Sequence, residues 1–256
     1  AGMAGHLAKK QLGKKGIFLT FIAISLIAAF ILIFLPSGIS LKKDMPVINT
    51  RVTTVNEYVV DLENVYLESA LQSAGTKTTM ALIKYMQGQN RFLGNFEDSF
   101  KEVLLQGTIG GQPIDSFIEP DIMAGNTYPE WLAKIKTTAD NAFNINTNFN
   151  AIAANDIKVY QASPWILTVD ANISFIVYSE TASWNKTIIV RSGIGIQNFN
   201  DPYYLINTGG LHLSRINKSS VKFDEWNLNN FKDHLRHGTY VHFEESKAPN
   251  FIMRFT

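Results

Sequence analysis

The stretch "WILTVDANISFIVYSE", residues 165–180, alternates apolar and polar side chains with a period of two. Trp165, Leu167, Val169, Ala171, Ile173, Phe175 and Val177 fall on one side. Thr168, Asp170, Asn172, Ser174, Tyr178 and Glu180 fall on the other. Such alternation predicts a strand with one buried and one wet face. Asp170, Asn172 and Ser174 also imitate the opening of a calcium loop. The central glycine and closing glutamate are absent in register, and the alternation accounts for these residues without a metal. On either side, 156–161 and 184–196 read as further strands, separated by Ser163-Pro164 and Thr181-Ala182-Ser183. These spacings predict an antiparallel meander.

A sheet with one apolar face needs a covering layer, and the preceding sequence supplies helices. Thr127 stands three residues before Glu130, the spacing of a capping box, and opens a helix with Trp131, Leu132, Ile135 and Ala139 inward. The asparagine-rich run 141–150 ends it. Residues 95–106 read as a short helix with Phe96, Phe100, Val103 and Leu104 on one side. Residues 89–94 and 107–120 read as loops. Upstream, Ile48, Val52, Val55, Val59, Leu62, Tyr66, Ser69 and Ser73 recur at steps of four and three, and Met80 and Ile83 continue the line. This predicts a long amphipathic helix over 44–87, about 65 Å in length, packed on the sheet, with a kink or gap at Gly75; coiled-coil pairing is the alternative for the seam, although it turns polar at Ser69 and Ser73. The fold class expected is therefore α+β. The remainder, 200–256, is less orderly: a turn at Asn200–Tyr204, a short helix near 226–234 and a strand near 240–243. It reads as a C-terminal extension of the 88–199 domain, expected to continue past the last residue.

Composition narrows the function classes. The chain has 256 residues, no cysteine and a net charge of +1. Disulfides, zinc thiolate sites and cysteine nucleophiles are excluded together. Lys9, Lys10, Lys14 and Lys15 lie within residues 1–16 beside no acid, and the other 19 basic residues face 22 acidic ones. A body with that balance offers no broad attraction to nucleic acid.

Residues 17–35, "IFLTFIAISLIAAFILIFL", carry no charge. As a helix they cover about 28 Å, close to the thickness of a bilayer core. The lysines of 1–16 precede them, so a transmembrane helix is expected, with the N-terminus cytoplasmic and the bulk of the chain extracellular. Cleavage near Gly38-Ile39-Ser40 is the alternative for a secretory signal, although the apolar run is longer than such signals require.

Lys14-Lys15-Gly16 followed by Ile17 resembles the leader of type IV pilins and archaeal pilin-like proteins. The resemblance implies cleavage after Gly16, with the apolar helix kept in the mature chain. It also implies the pilin plan, a long helix with its first half in the membrane and its second half on a domain. One departure is Phe21, where bacterial members carry a glutamate that archaeal members often lack. The series "PWILTVDANISF", "NDPYYL" and "APNFIMRF" is similar to uncharacterised archaeal single-pass surface proteins with an extracellular α+β domain. That group implies no catalytic residues.

Motifs for chemistry are sparse. His234 and His237 share a helical face and, with His242, could chelate a metal together with Asp233 or Glu244; a solvated helix end accounts for them equally. Glu119 with Asp121, and Glu244 with Glu245, are acid pairs expected on solvated surface. Asn172, Asn185 and Asn217 begin N-x-S/T sequons and are candidate glycosylation sites. No cofactor is expected. The expected partners are the lipid bilayer and copies of the chain or other pilin-like subunits. The expected function is a non-catalytic, membrane-anchored structural or adhesive protein. The alternative is a monomeric anchored binding or receptor module, and an extracellular hydrolase comes third.

Overall fold

A computed structural model of the chain describes residues 44–179 and 182–256. Among them no helix is long and apolar enough to cross a membrane; the segment 17–35, expected to do so, lies outside them, as do the leader residues Lys14, Lys15, Gly16 and Ile17. Residues Pro46–Thr256 form one compact α+β unit.

The sheet is built around β5 (Ile166–Tyr178), as the alternation predicts. Leu167, Val169, Ala171, Ile173, Phe175 and Val177 are all fully buried on one face. Burying each large member of that row contributes roughly 1.5–3 kcal/mol. β6 (Ser183–Gly195) pairs with β5 antiparallel over its whole length, from Ile166↔Gly195 to Tyr178↔Ser183. The other edge of β5 is shared. β4 (Ile157–Ser163) takes its first half, from Ile157↔Ala171 to Ser163↔Ile166. β3 (Asn146–Phe149) takes its end, from Asn146↔Tyr178 to Phe149↔Phe175. The meander 4-5-6 is therefore as expected, while β3 lies in the asparagine-rich run read as a helix end. Its backbone completes the row that β4 leaves open, a tertiary demand that outweighs the low strand propensity of asparagine.

The wet face is laced across strands. Arg191 forms a two-pronged bond to Asp170, directly opposite in register, at 2.8 Å for each prong. Tyr160 Oη donates to the same carboxylate at 3.2 Å. Ser174 and Thr187 hydroxyls meet at 2.7 Å. Asp170 and Ser174 thus serve the sheet, as the strand reading requires.

Helices cover the opposite face. α1 (Asp44–Asp61) leads through a π-helical turn, Leu62–Tyr66, into α2 (Leu67–Gln89). α3 (Phe96–Gln106) and α4 (Tyr128–Phe143) follow. α2 packs on β6, α3 on β4 and α4 on β3. Gln72 Nε2 donates to Gly193 O at 2.9 Å, so α2 also caps part of the β6 edge. α1 is tied to β3 by Tyr58 Oη and Thr147 Oγ1 at 3.0 Å, and to the end of α4 by Arg51 Nη2 donating to Asn144 O at 2.9 Å. Burial raises the Tyr58 phenol pKa. The capping box of α4 forms as expected: Glu130 N donates to Thr127 Oγ1 and the Glu130 carboxylate accepts from Thr127 N.

Two expectations for the long helix are corrected. The helix does not kink or end at Gly75; it passes through, and Gly75 is buried against Ile194. The irregularity lies at the π-turn, where Leu67 N–H bonds to Leu62 O, five residues back. The extra residue shifts the stripe. Val55, Val59 and Leu62 are buried as expected, but the row resumes at Leu67, Ala70, Leu71 and Ala74, and Tyr66 and Met80 are 43% and 37% exposed. A step of five across the turn keeps both halves facing the sheet.

Three smaller differences follow. The loop 107–120 holds a two-residue hairpin, β1 (Thr108–Ile109) with β2 (Gln112–Pro113), whose Gly110 and Gly111 amides both donate to the Glu102 carboxylate. The expected turn at Asn200–Tyr204 opens a short helix, α5 (Pro202–Asn207), capped by Asp201. The strand near 240–243 shortens to β8 (Thr239–Tyr240), which pairs in parallel with β7 (Asn217–Lys218).

Candidate functional site

The residue that organises the last third of the chain is Asp201, a carboxylate with no solvent exposure. Asp before Pro at a helix start is a capping arrangement. Its Oδ1 accepts from Tyr203 N at 2.9 Å. Its Oδ2 accepts from Tyr240 Oη at 2.8 Å and forms an ion pair with Arg254 Nη1. Since the Tyr240 proton is spent on Asp201, the Ser214 hydroxyl donates to Tyr240 Oη, at 3.1 Å. The Arg254 guanidinium also lies over the Tyr240 ring, 5.4 Å from its centre. Burial raises the Tyr240 phenol pKa, and the Asp201 carboxylate adds to the rise while Ser214 and Arg254 oppose it. Asp201 thereby joins α5, β8 and the C-terminal segment through one buried charge pair.

Above this pair the surface is hollowed. A recess of about 510 Å³ is lined by Gln161, Trp165, Tyr240, His242, Glu244 and Arg254 among others. A second, of about 520 Å³, lies across a wall made of Trp165, Tyr240, Val241 and His242, with Lys218 and Lys222 on its far side. Lys218 Nζ stands 5.7 Å from the centre of the Trp165 ring. Gln161 fixes the floor: its Oε1 accepts from Phe251 N at 2.9 Å and its Nε2 donates to Pro164 O at 2.8 Å. The recess therefore combines an aromatic wall with the exposed side chains of His242 and Glu244, above an amide already engaged at both ends. A larger hollow of about 740 Å³ lies between α3, α4 and residues 148–154. Its rim carries Lys101, engaged by Glu97 at 2.8 Å, and Lys136, whose Nζ donates to Asn148 Oδ1 at 2.8 Å.

The histidines considered for a metal are placed separately. On α6 (Leu228–His237), His234 Nδ1 meets Thr239 Oγ1 at 2.8 Å and His237 Nδ1 meets the Asp233 carbonyl at 2.9 Å. His242 stands in the recess wall. Among the described residues no three His, Cys, Asp or Glu side chains converge in a metal-binding group. Glu119, Asp121, Glu244 and Glu245 are solvent-facing, with Glu244 at the recess. Asn172, Asn185 and Asn217 are all exposed; Asn172 and Asn185 share the wet face of the sheet.

Asp201, Tyr240 and Arg254 were not singled out by sequence. The Asp-Pro pair carried a capping signal, but nothing in the sequence links position 201 to position 254. No family model matches the chain, and neither curated proteins nor solved structures give a match.

Proposed function

We propose that the chain is a membrane-anchored extracellular protein of structural or adhesive function, a pilin-like subunit or a relative, and non-catalytic. The observation that carries the reading is the long helix, Asp44–Gln89, which runs through the π-turn and whose second segment, Leu67–Gln89, packs on the antiparallel sheet. In sequence it follows the apolar segment 17–35 and the Lys14-Lys15-Gly16 leader, with residues 36–43 between. A long helix laid on a sheet domain, preceded by an apolar span, is the plan expected of a subunit that exchanges bilayer for neighbouring helices. The buried acid of the domain fits a structural reading, because Asp201 is spent on a helix cap, a tyrosine and an arginine.

The second reading is an anchored binding module, and the recess beside Trp165 and Tyr240 favours it. Under that reading the helix is a stalk and the recess holds the ligand.

The mass of the mature N-terminal peptide, taken from the native membrane or surface fraction, tests the choice. A chain beginning at Ile17 supports pilin-type processing, and filaments built on residues 17–86 become the next object to isolate. A chain that keeps Lys14 and Lys15 removes the subunit reading and leaves the anchored module.

A further inference from the structure

α6 is a complete helix that buries little of itself. Asn227 caps its start, accepting from Asn229 N and Asn230 N at 2.9 and 3.1 Å, and Gly238 closes its end with φ +58°. Its rotation is fixed from one side. Asn230 Nδ2 donates to Glu225 O at 2.8 Å, His234 bonds to Thr239, and the His234 ring lies 4.9 Å from that of Trp226. The side turned away carries Leu228 and Leu235, exposed by 67% and 64%, and Phe231, 47% exposed, borders them with its ring 5.9 Å from that of Trp226. Lys232 and Arg236 follow this stripe around the helix on its solvent side, and Asp233, nearly opposite the stripe, forms an exposed ion pair with Arg236 at 3.7 Å, a contact that solvent screens.

We propose that this outer face of α6 docks on the surface of an anionic lipid bilayer. An apolar stripe flanked by basic side chains, on a helix of low overall hydrophobicity, is the arrangement that lies in a membrane interface: leucine and phenylalanine enter the acyl boundary while lysine and arginine meet phosphate. The uncharged apolar run 17–35 of the same chain favours lipid over a protein partner, since as a span it keeps a bilayer beside the domain. The stripe is short and its intrinsic affinity is low. The inference therefore rests on the anchored reading, in which a span at 17–35 holds the domain beside a bilayer at an effective concentration of about millimolar.

The chain has no cysteine, so single-cysteine variants report one position each. Leu235→Cys and Asp233→Cys, both at exposed positions, are labelled with an environment-sensitive fluorophore in the full chain. The chains are reconstituted in phosphatidylcholine vesicles with and without phosphatidylglycerol. With phosphatidylglycerol, the Leu235 probe is expected to shift to the blue and to be quenched by spin-labelled lipid roughly twofold or more above the Asp233 probe; high salt is expected to reduce the difference. Equal signals from the two positions overturn the proposal. So does shielding of the Leu235 probe that persists in detergent micelles and grows with protein concentration, because a second copy then covers the face. Alkaline extraction of the same vesicles reads the anchor separately. Protein retained with an aqueous Leu235 probe keeps the anchor and removes the α6 contact. Protein released after showing Leu235 quenching keeps the α6 contact and removes the anchor. Protein released with an aqueous probe removes both.

Discussion

Gly75 and Ile194 approach so closely that a Cβ built on Gly75 would lie 2.5 Å from Ile194 Cδ1. The glycine is in the middle of α2, where it costs about 1 kcal/mol in helix propensity relative to alanine. The contact explains its tolerance there: without a side chain, α2 settles directly on β6. Gly75→Ala is expected to destabilise the domain by up to about 2 kcal/mol, overpacking outweighing the helix gain. Ile194→Val removes the clashing Cδ1. In that background the same Gly75→Ala change is expected to stabilise by about 0.5–1 kcal/mol. Denaturant unfolding of the four chains reads the coupling; additive effects would falsify the contact as the reason for the glycine.

The π-turn makes a sharper claim about register. It adds one residue between two stripes that face the same way, Val59–Leu62 and Leu67–Ala70. Deleting the exposed Asn64 should let the turn relax to α-helix while keeping both stripes in phase. The expected change in stability is no more than about 1 kcal/mol. Deleting Gln72 from regular helix instead rotates everything beyond it by about 100° and should abolish cooperative unfolding. Thermal melts followed by circular dichroism distinguish the two; equal damage from both deletions would mean that the turn does not set the register.

The Asp201–Arg254 pair is expected to be the most costly charge to break. Arg254→Met leaves a carboxylate without solvent exposure facing only tyrosine and backbone donors, and should cost about 3–5 kcal/mol. Asp201→Asn combined with Arg254→Met removes both charges and retains a good N-cap. It should be less damaging than Arg254→Met alone. A double variant worse than Arg254→Met would show that the aspartate charge is not the source of the penalty.

Acid should weaken the fold through three carboxylates. Burial pushes Glu102 up, but donation from Gly111 N, Thr108 Oγ1 and Gly110 N outweighs it and lowers its pKa below 4.5. Glu130 is lowered in the same manner, its burial outweighed by the Thr127 hydroxyl and backbone and by Lys134. Asp170 is lowered below 3.8, chiefly by the Arg191 hydrogen bonds. A carboxylate with a depressed folded pKa stabilises above its unfolded pKa, and that contribution is lost as pH falls through the folded value. The melting temperature should therefore show no pH dependence from these groups between about pH 7 and 5, where their stabilisation is fully present, and should fall below about pH 4.5. Glu102→Gln should flatten part of the acid limb. An acid limb unchanged in that variant would remove Glu102 from the account.

Much of the architecture was legible because it rests on local periodicity. The alternation over 165–180 marked the central strand and its buried side, and Thr127 with Glu130 marked the start of α4. Strand β3 was missed because its reason is remote: an asparagine-rich segment is strand only because half of one edge of β5 stands open beside it. Tyr66 and Met80 were placed inward because a period of 3.5 was carried unbroken through a segment that inserts one extra residue.

The sequence by itself determined the helix and strand alternation, the antiparallel meander and the absence of thiol chemistry, since each depends on residues within a few positions of one another or on composition alone. The tertiary structure decided the rest. It set where the long helix changes pitch, why Gly75 is a glycine, and how Asp201 finds Tyr240 and Arg254 across 39 and 53 positions. It also turned the apolar side of α6 outward, although the pattern of its leucines reads in sequence like that of a helix packed inward. Which side of an amphipathic helix is covered depends on the neighbours that hold it, and those neighbours are brought together by the fold.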